Sequence, residues 1–174
     1  MLRRFLLTLF CLAGAALAAA DRVYISVNVR GDDAATIEVL EKSAGVTPKA
    51  KSTALANKKP GRAQGFFIPL DENGKAAMTL KLKITGKGEF DIAGFGFPAK
   101  GRQLMWVDCV KFVLNGETLI PQGDVKSIPF AKFRRLSGAK GRPLDGSCEL
   151  TIEAEFVKAD AERAARLNAQ TKKK

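Results

Sequence analysis

Three carboxylates, Glu149, Glu153 and Glu155, stand on one face of an alternating segment that runs from Cys148 to Phe156. Paired carboxylates cleave glycosidic bonds when they face each other across a cleft, about 5 to 9 Å apart. Three on one strand face share a direction instead, and Lys81 and Lys83 on another alternating segment offer them cross-strand partners. Ion pairing is therefore the expectation, and a carboxylate-dependent glycoside hydrolase using Glu153 or Glu155 is the minor alternative. None of the 174 residues is a histidine. That excludes a Ser-His-Asp triad, a Cys-His pair and His-ligated zinc or haem. The chain reads as a binder, not an enzyme.

Asp108 lies in the nearly apolar run Trp106–Leu114. Strict alternation puts it on the face of Trp106, Val110, Phe112 and Leu114, with its carboxylate toward the core. It is expected to be a hydrogen-bonded structural aspartate, at a strand edge or satisfied by a cation or by backbone donors. Cysteine chemistry is limited in the same way. Of three cysteines, Cys11 falls in the apolar leader, leaving Cys109 and Cys148. In an oxidising compartment this pair reads as one disulfide, closing a loop of about 40 residues and stabilising the fold by roughly 4 kcal/mol in the chain-entropy model. Two buried free thiols are the alternative. A catalytic thiol is not expected without a histidine to lower its pKa.

The most visible charge is positive. Residues 42–64 hold six Lys and Arg and no acid, and residues 126–142 hold another six and no acid. Both are rich in Gly, Pro, Ser and Ala and read as long loops. Such loops attract phosphate, sulfate or uronate groups if they meet on one face, with Lys58, Lys59, Arg62, Arg134 and Arg135 as the expected contacts. The plainer reading is solvated loops. Nucleic acid is not favoured, because no recognition motif accompanies the charge and aromatic residues are sparse there.

The elements that must position these residues are strands. Val23, Ile25, Val27 and Val29 alternate with Tyr24, Ser26 and Asn28, and Met78 to Ile84 alternates with Thr79, Lys81, Lys83 and Thr85. Ile37–Glu41 and Gly65–Leu70 are shorter candidates. Phe90–Phe97 is β-rich but broken by Gly94 and Gly96, a sign of a bulge or a close backbone approach. Asp71-Glu-Asn-Gly74 and Asn115-Gly116 carry the Asn-Gly pair that tolerates the positive φ of a type I′ turn, so Leu114–Leu119 reads as a tight hairpin. Many short strands without helices between them predict an all-β, antiparallel β-sandwich over 21–157, jelly-roll-like. Residues 158–174 form a basic tail, helical or frayed, with Glu162 and Arg166 paired at i,i+4.

Residues 1–20 have the layout of a secretory signal peptide: Arg3 and Arg4, an apolar stretch from Phe5, then small residues offering cleavage after Ala20 or, second, Ala18. Nothing later is apolar enough for a transmembrane segment. The expected location is secreted or periplasmic. Removing the leader takes two arginines from the net charge of +11, leaving 27 Lys and Arg against 18 Asp and Glu, or +9.

Trp106-Val-Asp-Cys-Val-Lys-Phe-Val-Leu-Asn-Gly-Glu117 resembles a strand near the C-terminal end of jelly-roll carbohydrate-binding modules, where an aromatic residue, an Asp and alternating hydrophobics recur. The block Met78–Phe97 is similar to their middle strands. The resemblance covers about a third of the chain. It implies a non-catalytic, sugar-binding sandwich and a structural calcium at Asp108. Two departures stand out: some 55 residues follow the Asn-Gly turn, and the mature chain has only one Trp and one Tyr where a sugar platform needs exposed rings. The combined expectation is an exported domain recognising a glycan or anionic cell-surface polymer through its basic loops. The alternative is an envelope structural or assembly protein docking onto an acidic partner or lipid phosphates.

Overall fold

The computed structural model describes residues 21–49, 52–53, 60–97, 105–120, 126–129, 134–135 and 140–172, with backbone alone at 52–53, 95, 97, 126–129, 134–135 and 171–172. The leader therefore lies outside the described residues. The elements are β1 (Arg22–Arg30), β2 (Thr36–Lys42), β3 (Thr47–Pro48), β4 (Ser52–Thr53), β5 (Gly61–Pro69), β6 (Lys75–Phe97), β7 (Trp106–Leu114), β8 (Glu117–Ile120), β9 (Lys126–Pro129), β10 (Arg134–Arg135), β11 (Arg142–Lys158) and one helix, α1 (Ala161–Lys172). Among the described residues no helix is long and apolar enough to cross a membrane.

The fold is all-β and antiparallel, and its strands join in one hydrogen-bonded network in the order β3-β5-β1-β6-β11-β7-β8. The long strand β6 explains how one network encloses a core. Along one edge it pairs first with β2, at Leu80–Thr85, and then with β1, at Glu89–Phe97. Its other edge carries β11 as far as Phe90 and then β10 at Ala93 and Gly94. The partner changes at Gly86 and Gly88, whose φ angles are 155° and 109°. A Cβ on Gly88 would lie 2.1 Å from the Arg30 carbonyl oxygen, so only glycine lets β6 turn against the end of β1. The turn divides the network into one half built on β5, β1 and the end of β6, and another built on β2, the start of β6, β11 and β7.

The apolar faces of both halves meet in one cluster that includes Val23, Ile25 and Val27 of β1, Leu80 and Leu82 of β6, and Ile152 of β11. Alternation made these faces, since every second residue of a strand points the same way. Phe66, Phe112 and Phe156 are almost wholly buried in it, and each contributes about 1.5–3 kcal/mol of transfer free energy.

Four expectations change on contact with the structure. The segments 42–64 and 126–142 are not loops throughout, because β3, β4 and the start of β5 lie in the first and β9 and β10 in the second. The Asn73-Gly74 turn joins β5 to β6, which do not pair with each other, and only Gly74 has positive φ there (70°). Asn115 and Gly116, with φ of 51° and 80°, do close the β7–β8 hairpin as a type I′ pair. Third, the strict alternation expected for Trp106–Leu114 fails. Glu155 faces Lys111 and Phe156 faces Cys109, so Val110 is an extra residue in β7. Across this bulge the parity flips. Val107 and Cys109 face the core before it, Phe112 and Leu114 after it. Trp106 and Asp108 consequently lie on the opposite face of the sheet, where both are still buried.

The fourth is the disulfide. Cys109 and Cys148 are free thiols. Cys109 sits opposite Phe156, and Cys148 stands eight residues earlier on β11, opposite Ile84 of β6. At about 3.3 Å per residue the offset is roughly 26 Å, far beyond the span of a bridge.

Candidate functional site

The outward face of the β5–β1–β6 half carries a graded set of side chains. On β1 the outward residues are Arg22, Tyr24, Ser26, Asn28 and Arg30, and the register sets Phe67, Gly65 and Ala63 of β5 beside Tyr24, Ser26 and Asn28. On β6 the neighbours of Ser26, Asn28 and Arg30 are Ala93, Asp91 and Glu89. Small residues thus floor the middle of the face and charges gather at its ends. The aromatic pair Tyr24 and Phe67, with ring centroids 5.1 Å apart, is capped by cations: Arg22 lies 4.7 Å from the Phe67 centroid and Lys49 5.6 Å from that of Tyr24. Tyr24 is only 8% exposed, and burial pushes its phenol above the ordinary value despite a hydrogen bond with Ser26. Its ring covers Gly65, where a Cβ would come within 2.0 Å of the hydroxyl. Tyr24 is packed into the face and does not form a sugar platform.

Asp91, which sequence reasoning passed over, is the buried acid of this face. Arg30 donates to it at 2.9 Å and the Gly141 amide at 2.8 Å, while Glu89 takes a second, longer contact from Arg30 at 3.3 Å. Asp91 therefore latches the end of the second basic segment onto β6. Its only signal in the sequence was a lone charge inside Phe90–Phe97. Its partners lie 61 and 50 residues away, and spacing along the chain cannot reveal them.

The first basic segment and the β10 part of the second join the same half from opposite sides, while β9, which opens the second segment, pairs with β7 of the other half. β3 and β4 of the first pair with β5, and β10 of the second pairs with β6 at Ala93 and Gly94. Four strand-to-strand steps of about 4.8 Å separate them, roughly 19 Å. Of the five expected contacts, Arg134 and Arg135 are β10 itself, and Arg62 is exposed at the start of β5, opposite Thr53 of β4. Lys58 and Lys59 lie outside the described residues.

The acidic row belongs to the other half and is occupied. Lys111 reaches Glu153 at 3.6 Å and Glu155 at 3.5 Å, and Glu149 stands in register with Lys83. Beside them Lys81 bonds Glu41 at 2.5 Å, and this contact raises the Lys81 pKa. This is a lattice of cross-strand pairs, as its spacing suggested.

Asp108 meets α1. Once the bulge has turned it outward, its carboxylate accepts from Arg163 Nε and, at 3.2 Å, from Arg163 Nη2. The carboxylate in turn raises the guanidinium's pKa. Beside it the Trp106 indole N–H donates to Asn168 Oδ1 at 2.8 Å. The helix starts on Asp160, whose side chain caps the Arg163 amide at 2.8 Å. A tail with a single large apolar residue is thus docked by polar contacts. The cation that satisfies Asp108 is a guanidinium, and no cluster of three His, Cys, Asp or Glu side chains that could hold a metal occurs among the described residues. The donor set does not fit the structural calcium that the resemblance implied.

Comparison with known protein families, with curated proteins and with solved structures finds no match.

Proposed function

We propose that this chain is an exported, non-catalytic binding domain for an anionic polymer, most simply an acidic glycan of the cell surface, held at the basic margins of the β5–β1–β6 face. One observation carries the reading: β3 and β4 of the first acid-free segment and β10 of the second, separated by more than sixty residues of chain, attach to opposite edges of the same three strands. In the other half Lys81 and Lys111 are matched by Glu41, Glu153 and Glu155 in cross-strand pairs, which weakens its attraction for a polyanion. Capped rings on the face favour charge over aromatic stacking as the means of binding. Affinity electrophoresis of the mature protein through gels containing polygalacturonate or a neutral glucan tests this. Retardation by the acidic polymer alone, reduced by Arg134→Ala/Arg135→Ala and by salt, is expected. Mobility that ignores the acidic polymer, or is indifferent to the substitutions, overturns it. Retention on anionic vesicles with none on polysaccharide would favour an envelope docking protein instead.

A further inference from the structure

Between the two halves lies a pocket of about 260 Å³ that the basic margins alone do not account for. Ala34, Ala35, Thr36 and Ile37 wall one side and Arg62 and Ala63 the other. The seam exists because β2 pairs only with β6 and β5 only with β1, β3 and β4, so no hydrogen bonds join β2 to β5 where the chain crosses from one half to the other. The crossing is held at several points. Asp32 accepts from the Ala34 amide at 2.9 Å and, across the β6 turn, from the Lys87 amide at 3.0 Å. The Gly31 amide donates to the Pro60 carbonyl at 2.9 Å, and Arg62 Nε to the Asp33 carbonyl at 2.5 Å. The walls are therefore set before any ligand arrives, which lowers the ordering cost of binding.

That last bond fixes what Arg62 can offer. With Nε committed to a backbone oxygen, its two terminal nitrogens remain, and among the described residues no carboxylate is paired with them. Two parallel N–H donors match the two oxygens of a carboxylate. Behind the guanidinium the lining is small and apolar, since Ala35 and Ile37 are both buried. The neighbouring acid Asp32 already has both carboxylate oxygens engaged by amides.

We propose that this seam pocket seats one carboxylate-bearing sugar unit, with Arg62 gripping the carboxylate and the Ala35–Ile37 wall receiving the ring. The proposal rests on the anionic-polymer reading and names the unit that is recognised, with β10 reserved for the flanking chain. The probe is a galacturonate trimer compared with its methyl ester, which keeps the rings and removes the charge, titrated calorimetrically into wild type, Arg62→Ala, Arg62→Lys and Arg134→Ala/Arg135→Ala. Arg62 is exposed, so the variants should fold, and unchanged melting temperatures would confirm it. Expected is a preference of about tenfold or more for the free acid, lost in Arg62→Ala and only partly restored in Arg62→Lys. Trimer binding untouched by Arg62→Ala but abolished in the β10 variant overturns the pocket and leaves the polymer reading standing. No binding of trimer or polymer by wild type overturns both.

Discussion

Asp108 shows how one residue's role depends on a neighbour that spacing cannot indicate. Its partner Arg163 lies 55 residues on, and the carboxylate is buried while the guanidinium remains about one-third exposed. Arg163→Ala should cost about 1–3 kcal/mol, less than a fully buried pair because solvent screens the open side. Asp108→Asn should cost less, since an amide oxygen still accepts from Arg163. The chain's single tryptophan reports the effect directly, because Trp106 bonds the same helix. A red shift of its emission at temperatures below global unfolding is expected in Arg163→Ala, and an unshifted spectrum would mean that Asn168 alone docks α1. Cys109 makes a second prediction. Burial pushes its thiol up to about 12, and the thiol donates to the Lys111 carbonyl at 3.3 Å, a bond only the protonated form can make. Folding thus favours the protonated form. The corresponding stability is fully present below the unfolded thiol's pKa near 8.5 and is lost, at about 1.4 kcal/mol per pH unit, as pH rises toward the folded value. Urea midpoints should fall between pH 8.5 and 10 in wild type and stay flatter in Cys109→Ala. The Tyr24 phenol, also raised by burial, adds its own loss only at higher pH. A bridged Cys109 would show no such slope.

At the level of elements, strands with their own alternation could be read from the sequence, and those defined by their neighbours could not. β1, the first part of β6 and β11 repeat every second residue and are present where that pattern put them. By contrast β3, β4 and β10 are two residues each and exist because β5 and β6 present open edges, so their basic, Gly- and Pro-rich surroundings read as loop. Val110 was illegible for another reason. A bulge adds one apolar residue to an apolar run, and no composition signal marks where parity flips. Asp108 and Trp106 therefore turn to the opposite face and are buried there against α1. Glycines, too, carry different burdens at equal-looking positions. Gly88→Ala would force a methyl against the Arg30 carbonyl at a positive φ and should cost about 2–4 kcal/mol. Gly116→Ala has positive φ but open space around it, so only the left-handed backbone cost of about 1–2 kcal/mol applies. Denaturant midpoints of the two variants should rank in that order, and an equal loss would place the β6 turn elsewhere than Gly86–Gly88.

For the whole molecule the decisive feature is asymmetry of charge. One half pairs Lys81 and Lys111 with Glu41, Glu153 and Glu155, while the other receives β4 and β10, from the two acid-free segments, on its opposite edges. That contrast bears on the two functions the acidic row could serve. If Glu149, Glu153 and Glu155 did chemistry on a bound polymer, replacing all three with glutamine would abolish turnover and leave affinity nearly intact. If they only neutralise lysines, the triple variant frees Lys111 and leaves Lys83 with Glu38 of β2 alone in register beside it, raising the net positive charge by three. Attraction for a polyanion then grows, most at low ionic strength where screening is weakest. The expected result is tighter retention of Glu149→Gln/Glu153→Gln/Glu155→Gln on polygalacturonate at low salt, converging on wild type as salt approaches about 0.5 M, with no reducing ends released by either protein. The stability change should be small, because exposed cross-strand pairs of this kind are each worth under about 1 kcal/mol. Release of reducing ends by wild type but not by the triple variant would turn the same row into a catalytic one and would make the basic margins the means of holding a substrate.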